Sequence, residues 1–523
     1  MNLLKHAWIP ARLRQGAVDG RVLTLEELLC GSEEWEIALP RDDLEMACLQ
    51  MLISLVQVMF PPENGSDLRN RTRTPLLLEE YADSANKLGD WFDLDHPESP
   101  FMQTRGVKAD EVTPIQKLLI GLPEGNNHAF FNEIGEVRFL GAPITAIALF
   151  HQAVNCPSFG GGFKGGLRGG APITTLVSGN HLRETVWRNV LTREKVDAML
   201  PGYAFDFEQD LPTWVNPIQR GENVYTSQIG LLRGLFWQPA HIELVRADHE
   251  VSCDLLGGPP GLAYSEFLKE KFPYNLEGTW PHPHGALLIA TKKNKREERF
   301  LSFTTTAPAW TQMSEFVVFR GGDKEPQGSR PALPVTQFGE TWRKTTPLRL
   351  LVGGYRANKA SVVERRHELF SLASGWEEKK NSISHMVNLA KETKKKLVSA
   401  VKLAEEGIKK PKPPEKPKKG LGTFAKRGNR QTGLFCLAEE MFYRRTESLV
   451  QMAFADMPCN DEARFNAHRI KFVADLAEVC KAIFNELTDP YTSKPEVIPI
   501  IAVARNVLGG ELNKLKKEIR SDA

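Results

Sequence analysis

Val473, Leu476, Cys480, Ile483 and Leu487 step by three and four residues, and Ile501, Ala504, Leu508, Leu512, Leu515 and Ile519 repeat the stepping after Pro499. One face of an α-helix has this period, so both stretches predict amphipathic helices, the second opening at the proline. Leu434 to Phe454, Asn381 to Glu406 and Ala360 to Trp376 also read as helical. Long amphipathic helices joined end to end predict an all-α, four-helix-type bundle over residues 361–523. Within it, Gly407 to Arg430 is a Lys/Pro-rich linker with nine basic residues against the single acid Glu415. Prolines and like charges keep such a segment extended, either as a solvated tether or as a contact to nucleic acid.

Residues 1–360 follow no single period. Strands are expected around Leu4 to Ile9 and Arg21 to Leu25. Leu39-Pro40-Arg41-Asp42-Asp43 then opens a helix, its carboxylates suited to the positive end of the helix dipole. That helix, Leu44 to Phe60, is apolar on most of its surface and so predicted to be buried. Leu182 to Leu200 reads as helix, and Leu287 to Ala290 with Phe300 to Thr305 as paired strands across a basic turn, Lys292 to Arg296. Leu348 to Val352 is an apolar strand running into a tight turn, Gly353 to Lys359, with a basic tip. The fold class is therefore α+β: a large, irregular mixed α/β N-terminal domain over residues 1–360, followed by the helical bundle.

Composition narrows the setting. A chain of 523 residues exceeds one core, and 41% hydrophobic with 25% charged residues is ordinary for a soluble globular protein. The net charge of +2 leaves nucleic-acid binding to local basic points. The longest apolar runs, such as Cys48 to Val58, are too short to cross a bilayer, so no membrane partner is expected. The first residues lack the apolar core of a signal peptide. Seven scattered cysteines without a CxxC pair predict reduced thiols and a cytoplasmic location.

Pro157 to Thr175, PSFGGGFKGGLRGGAPITT, concentrates the candidate chemistry: seven glycines with Lys164 and Arg168 among them. Glycine reaches backbone angles closed to other residues and admits close approach by another molecule. Exposed amides beside basic side chains suit a polyanion; alternatively the glycines serve only the turns of a surface loop. A P-loop is excluded, because Gly165 and Gly166 follow Lys164 where a magnesium-holding Ser or Thr is required. A dinucleotide fold is excluded too, since an apolar segment, Ile144 to Val154, precedes and a strand-like Ile173 to Val177 follows. Of adjacent Phe130 and Phe131, one can sit in the core while the other stacks on a base, or both are core. His241 and Glu243 lack the Pro-Cys-x-x-Cys partner of a zinc deaminase. His282 and His284 have no nearby cluster at zinc spacing and read as a packed loop, so no metal and no cofactor is expected.

Taken in order, the strings Leu39 to Asp43, Pro100 to Thr104, Phe159 to Lys164, Leu167 to Gly170, Gly234 to Glu243, Phe267 to Phe272, Trp280 to His284 and Glu364 to His367 resemble the large subunit of the type I-E CRISPR surveillance complex Cascade, the CasA family. The likeness spans nearly the whole chain. It implies a protein that is not an enzyme but recognises the protospacer-adjacent motif in double-stranded DNA, largely from the minor groove. It implies duplex opening for a guide RNA and recruitment of a helicase-nuclease, with CRISPR RNA and the other Cascade subunits as partners. The family's glycine loop falls on Phe159, Gly160, Gly161 and Gly162, its lysine finger on Lys269, and its wedge on the turn ending in Asn358 and Lys359. Its N-terminal contact loop falls on Ala129, Phe130, Phe131 and Asn132. Lys359 stands where a family member carries glutamine, and a lysine cannot accept a hydrogen bond, which leaves the preferred motif open. Some relatives carry a cysteine cluster where this chain has only Cys253, so the resemblance implies no zinc here. Two rival readings remain: a phosphate-binding or metal-dependent hydrolase using Lys164, His241, His282 and His284, and an assembly scaffold that reads no DNA.

Overall fold

The structure is a computed structural model. It describes residues 1–15, 20–109, 111–121, 135–292, 295–321, 327–342, 345–358, 361–409 and 433–521. The chain divides into two compact units. One comprises Met1–Thr305, Glu315–Trp342 and Arg349–Leu369; the other comprises Thr306–Ser314, Arg343–Leu348 and Phe370–Ala523.

In the first unit the Asp42–Met59 helix is the central piece. Asp42, Asp43 and Glu45 occupy its first turn, complementing the dipole, and nearly every residue from Leu44 to Met59 is buried. It packs against the Ala142–Val154 helix, which is equally apolar and follows Gly141 with Pro143 in its first turn. Two helices that are apolar on all sides are stable only inside a core: the first also packs on the Leu182–Asn189 and Leu231–Leu235 helices, the second on the Ala263–Glu270 strand. One sheet is built on Ala263–Glu270, which pairs with Thr113–Pro114, Leu140–Gly141 and His241–Arg246 in antiparallel register, with Lys269 opposite Ile242 and Phe267 opposite Leu244. A second orders Ser361–Leu372, Leu348–Asn358 and Thr174–Val177, with Leu350 opposite Val177 and Gly353 opposite Thr174.

The second unit contains the helices Lys380–Lys409, Leu434–Ala455, Glu462–Thr488 and Ile498–Ser521. Both predicted stripes are buried, from Val473 to Leu487 and from Ile501 to Ile519. The threonines they cover satisfy themselves: Thr393, Thr446 and Thr488 each donate to a carbonyl four residues back at 2.7–2.8 Å. Gly407 lets the first and last helices close together, since a β-carbon there would sit 2.3 Å from Ile500 Cγ1.

Three local expectations are corrected. Ala360 to Trp376, expected as helix, is largely the strand Ser361–Leu372. Its helix-forming Glu and Arg residues are overridden by pairing with the neighbouring strand, and Val362, Glu364, Arg366, Phe370 and Leu372 face inward at period two. The partner of Leu287–Lys292 is Lys295–Phe300, not the segment after Phe300; Leu287 lies opposite Phe300 and Lys292 opposite Lys295. The strand expected to stop at Val352 continues to Asn358. Gly353 and Gly354 mark close approach rather than a turn: a β-carbon would lie 2.7 Å from His367 Cδ2 at the first and 2.8 Å from the Pro172 carbonyl oxygen at the second.

Candidate nucleic-acid interface

The glycine stretch leaves the Ala142–Val154 helix and returns to the core as the strand Thr174–Val177. Its ends are fixed differently from its middle. Gly166 lies so close to the helix end that a β-carbon would be 2.4 Å from the Ala153 carbonyl oxygen, and Arg168 is buried, donating to Asn155 Oδ1 and Thr174 Oγ1. Gly160, Gly161 and Gly162 take φ of 81°, 53° and 92°, the left-handed region that favours glycine. The Phe163 N–H donates to the Gly160 carbonyl at 2.9 Å and closes this turn. Gly161 and Gly162 are exposed, and a β-carbon at Gly161 would meet no described atom within 4 Å.

The turn rests on the Ala263–Glu270 strand. The Phe159 ring packs on Phe163 and Phe267, with centroids 5.5 and 5.8 Å away. Phe267 and Lys269 share a strand face, and Lys269 Nζ lies 5.6 Å from the Phe159 ring centroid and 5.7 Å from that of Phe267. The same ammonium donates to Thr113 Oγ1 at 2.8 Å. One step beyond the strand, exposed Lys271 donates to the Gly161 carbonyl at 3.1 Å. Lys164 Nζ stands 5.6 Å from the centre of the Tyr274 ring. Phe159 to Gly162 and Lys269, about a hundred residues apart in sequence, thus form one surface. Lys271 belongs to it and is missed by the sequence reading; its signal is the two-residue spacing from Lys269, the repeat of an extended backbone.

Asn358 is exposed at the end of its strand, and Arg356 pairs with Glu364 across the hairpin at 2.8 Å. Tyr355, expected in the turn, is buried within the strand and packs with Cys156 and Ala171. The far part of this strand, at Tyr355, therefore lies against residues from both ends of the glycine stretch. Phe130, Phe131, Asn132 and Lys359 lie outside the described residues, as does the linker beyond Lys409.

The family model for CRISPR-associated protein Cse1 matches residues 2–478. The chain belongs to the Cse1 family. A CasA/Cse1 protein of Thermus thermophilus is 26% identical over 423 residues, covering 77% of this chain and 75% of the relative. The crystal structure of Thermobifida fusca Cse1 has the same fold, with a TM-score of 0.74 at 16% identity, covering 99% of this chain and 98% of that one. A chain of a structure described as a CRISPR RNA-guided surveillance complex superposes with a TM-score of 0.57 at 15% identity, over 97% and 99% of the two chains.

In this Cse1-family chain the remaining singled-out residues hold the fold. His241 stacks on Phe272 with ring centroids 3.9 Å apart, and Glu243 accepts the backbone N–H groups of Gly106 and Val107 at 2.9 and 3.0 Å. His282 and His284 are buried with rings 5.2 Å apart. Burial, then the neighbouring Arg168 guanidinium, pulls His284 down to about 3 and His282 well below its ordinary value, so both are neutral near pH 7. Among the described residues, no three His, Cys, Asp or Glu side chains converge as metal ligands would.

Proposed function

We propose that this chain is the non-catalytic large subunit of an RNA-guided CRISPR surveillance complex, and that it reads the protospacer-adjacent motif through the surface formed by Phe159 to Gly162, Lys269 and Lys271. The observation that carries the reading is the bare turn at Gly161: left-handed backbone, no side chain, open space in front, the Lys271 ammonium on its carbonyl and the Lys269 ammonium over the ring of Phe159. The minor groove of B-DNA is about 6 Å wide and offers acceptors that separate mainly A·T from G·C. A glycine backbone reaches that floor where a β-carbon would be stopped, and lysines donate to any base or phosphate acceptor. This chemistry gives tolerant motif reading, unlike bidentate arginine–guanine contacts in the major groove.

Asn358 and Lys359 then push between the strands, at an unstacking cost of roughly a few kcal/mol per step that the assembled complex offsets. Phe130, Phe131 and Asn132 supply a further contact to the complex and target. CRISPR RNA and the other subunits are the standing partners, and a helicase-nuclease joins after the target is bound. The proposed site of action is the cytoplasm.

The test is titration of motif-bearing against motif-scrambled duplex, with and without the other subunits. Replacing Gly161 by tryptophan and Lys269 by alanine should abolish the difference between the two duplexes. Motif-dependent binding that survives both changes would remove the assignment.

A further inference from the structure

Beneath the hairpin, six side chains form a continuous polar chain whose hydrogen-bond directions are fixed by chemistry alone. Arg168 only donates, so the atom of Asn155 that it meets is Oδ1, which also accepts from Thr174 Oγ1 at 3.1 Å. That turns Asn155 Nδ2 toward His151 Nδ1, 3.3 Å away, and Nδ1 must accept. The proton of His151 is then on Nε2, which donates to the Tyr355 hydroxyl at 2.6 Å. The single hydroxyl proton passes on to Asp43 Oδ2 at 2.8 Å, and a carboxylate only accepts. Arg41 closes the far end. It donates to both Asp43 oxygens at 3.0 and 2.7 Å and to the Ile120 carbonyl at 2.8 Å.

Asp43, His151, Asn155, Arg168 and Tyr355 are each at most 7% exposed, so water does not substitute for a missing link. The chain begins in the glycine stretch at Arg168, crosses the Ala142–Val154 helix, reaches the hairpin at Tyr355 and ends beside Ile120. Arg365, on the hairpin's second strand, pairs with Asp42 at 2.8 Å and Asp43 at 3.5 Å, so both strands are tied to the same helix start. A polar chain with only one self-consistent set of directions has one favoured geometry, unlike an apolar contact that can slide.

We propose that this one-way relay is a positioning device: it holds the glycine stretch and the hairpin in the single arrangement that couples motif reading to strand opening. Asn155, His151 and Tyr355 are its positioning residues. The proposal rests on the DNA-reading role proposed above.

Two variants test it in the full chain, assembled with its partners. Tyr355→Phe keeps the ring and deletes the link. Asn155→Asp keeps an oxygen acceptor for Arg168 but presents a second acceptor to His151 Nδ1, so the imidazole proton moves to Nδ1 and Tyr355 is turned away from Asp43. Nitrogen-15 correlation spectra should show the Nε2–H tautomer for His151 in the wild type and a protonated Nδ1 in Asn155→Asp. A wild-type Nδ1–H tautomer would overturn the relay without reference to DNA. Strand opening, read from 2-aminopurine fluorescence beside the motif, should fall at least tenfold in both variants while assembly is retained and the thermal midpoint, lowered by the unpaired buried group, stays well above the assay temperature. Unchanged opening in both, with motif dependence still lost in Gly161→Ala and Lys269→Ala, would overturn the positioning role and leave the site reading standing. Motif dependence retained in those two variants would remove the site reading instead, and the tautomer would still decide the relay.

Discussion

Gly161→Ala is the smallest change that separates a glycine kept for its own turn from one kept for what approaches it. At φ of 53° an alanine is strained by about 1 kcal/mol, and no described atom within 4 Å adds a clash. In a unit of this size that cost lowers the thermal midpoint by a few degrees at most, by roughly 2–4 °C or less. On the DNA side, one methyl holds the backbone away from the groove floor. Hydrogen bonds of about 2.9 Å stretched past about 3.5 Å are lost. Loss of one such bond with its packing predicts at least a tenfold weaker motif-dependent affinity, about 1.4 kcal/mol. Gly169 supplies the control: φ of 80°, exposed, nothing described within 4 Å, in the same stretch but outside the proposed surface. Gly169→Ala carries the same strain and should leave DNA reading unchanged. The assay is duplex titration in the assembled complex beside thermal denaturation of each variant. Wild-type motif preference in Gly161→Ala, or an equal loss in Gly169→Ala, would refute the reasoning.

Three further outcomes are expected. Gly407→Ala overpacks against Ile500 and should destabilise the bundle by about 1–3 kcal/mol in denaturant unfolding, with part of the loss restored by Ile500→Ala; additive effects would show that the two do not meet. Burial pulls His151 down to about 4 against the opposing charge of Asp43, while in the unfolded chain it titrates near 6.5. Its contribution is therefore complete above about pH 6.5 and is lost as pH falls toward 4, by about 3 kcal/mol in all. His151→Gln should flatten the wild-type decline over that window, and identical slopes would contradict the assignment. Lys271→Met should weaken motif-bearing duplex several-fold and make the salt dependence shallower by about one unit of slope. An unchanged slope would confine Lys271 to holding the Gly161 carbonyl.

The bundle is legible in the sequence because its helices bury one stripe at a time: Leu476, Cys480 and Ile483 declare their face without reference to any partner. Ser361–Leu372 is not, because Glu364, Arg365, Arg366 and Glu368 favour helix locally and only the neighbouring strand makes them a sheet. The glycine stretch announces itself by composition, but its parts do not. Arg168 looks like a surface cation in sequence, yet the structure buries it against Asn155 and Thr174, while plain Gly161 carries the open position. Tyr355 reads as a turn residue because two glycines precede it. Those glycines accommodate Met46, His367 and Pro172, contacts between segments far apart in the chain that no local pattern encodes.

Under the proposed reading, the surface around Gly161 would let a chain of net charge +2 discriminate between duplexes. Its cations are already occupied: Lys269 donates to Thr113 and lies over two rings, Lys271 holds the Gly161 carbonyl, and Lys164 lies over Tyr274. Each phosphate or base contact must replace an internal one, and an exchange of hydrogen bonds nets only about 1 kcal/mol. Any duplex therefore gains little from these lysines alone. On the proposed reading, the difference between a right and a wrong site would fall to the fit of the bare backbone in the groove, which charge does not supply. A more basic surface would bind every duplex longer and compare fewer of them.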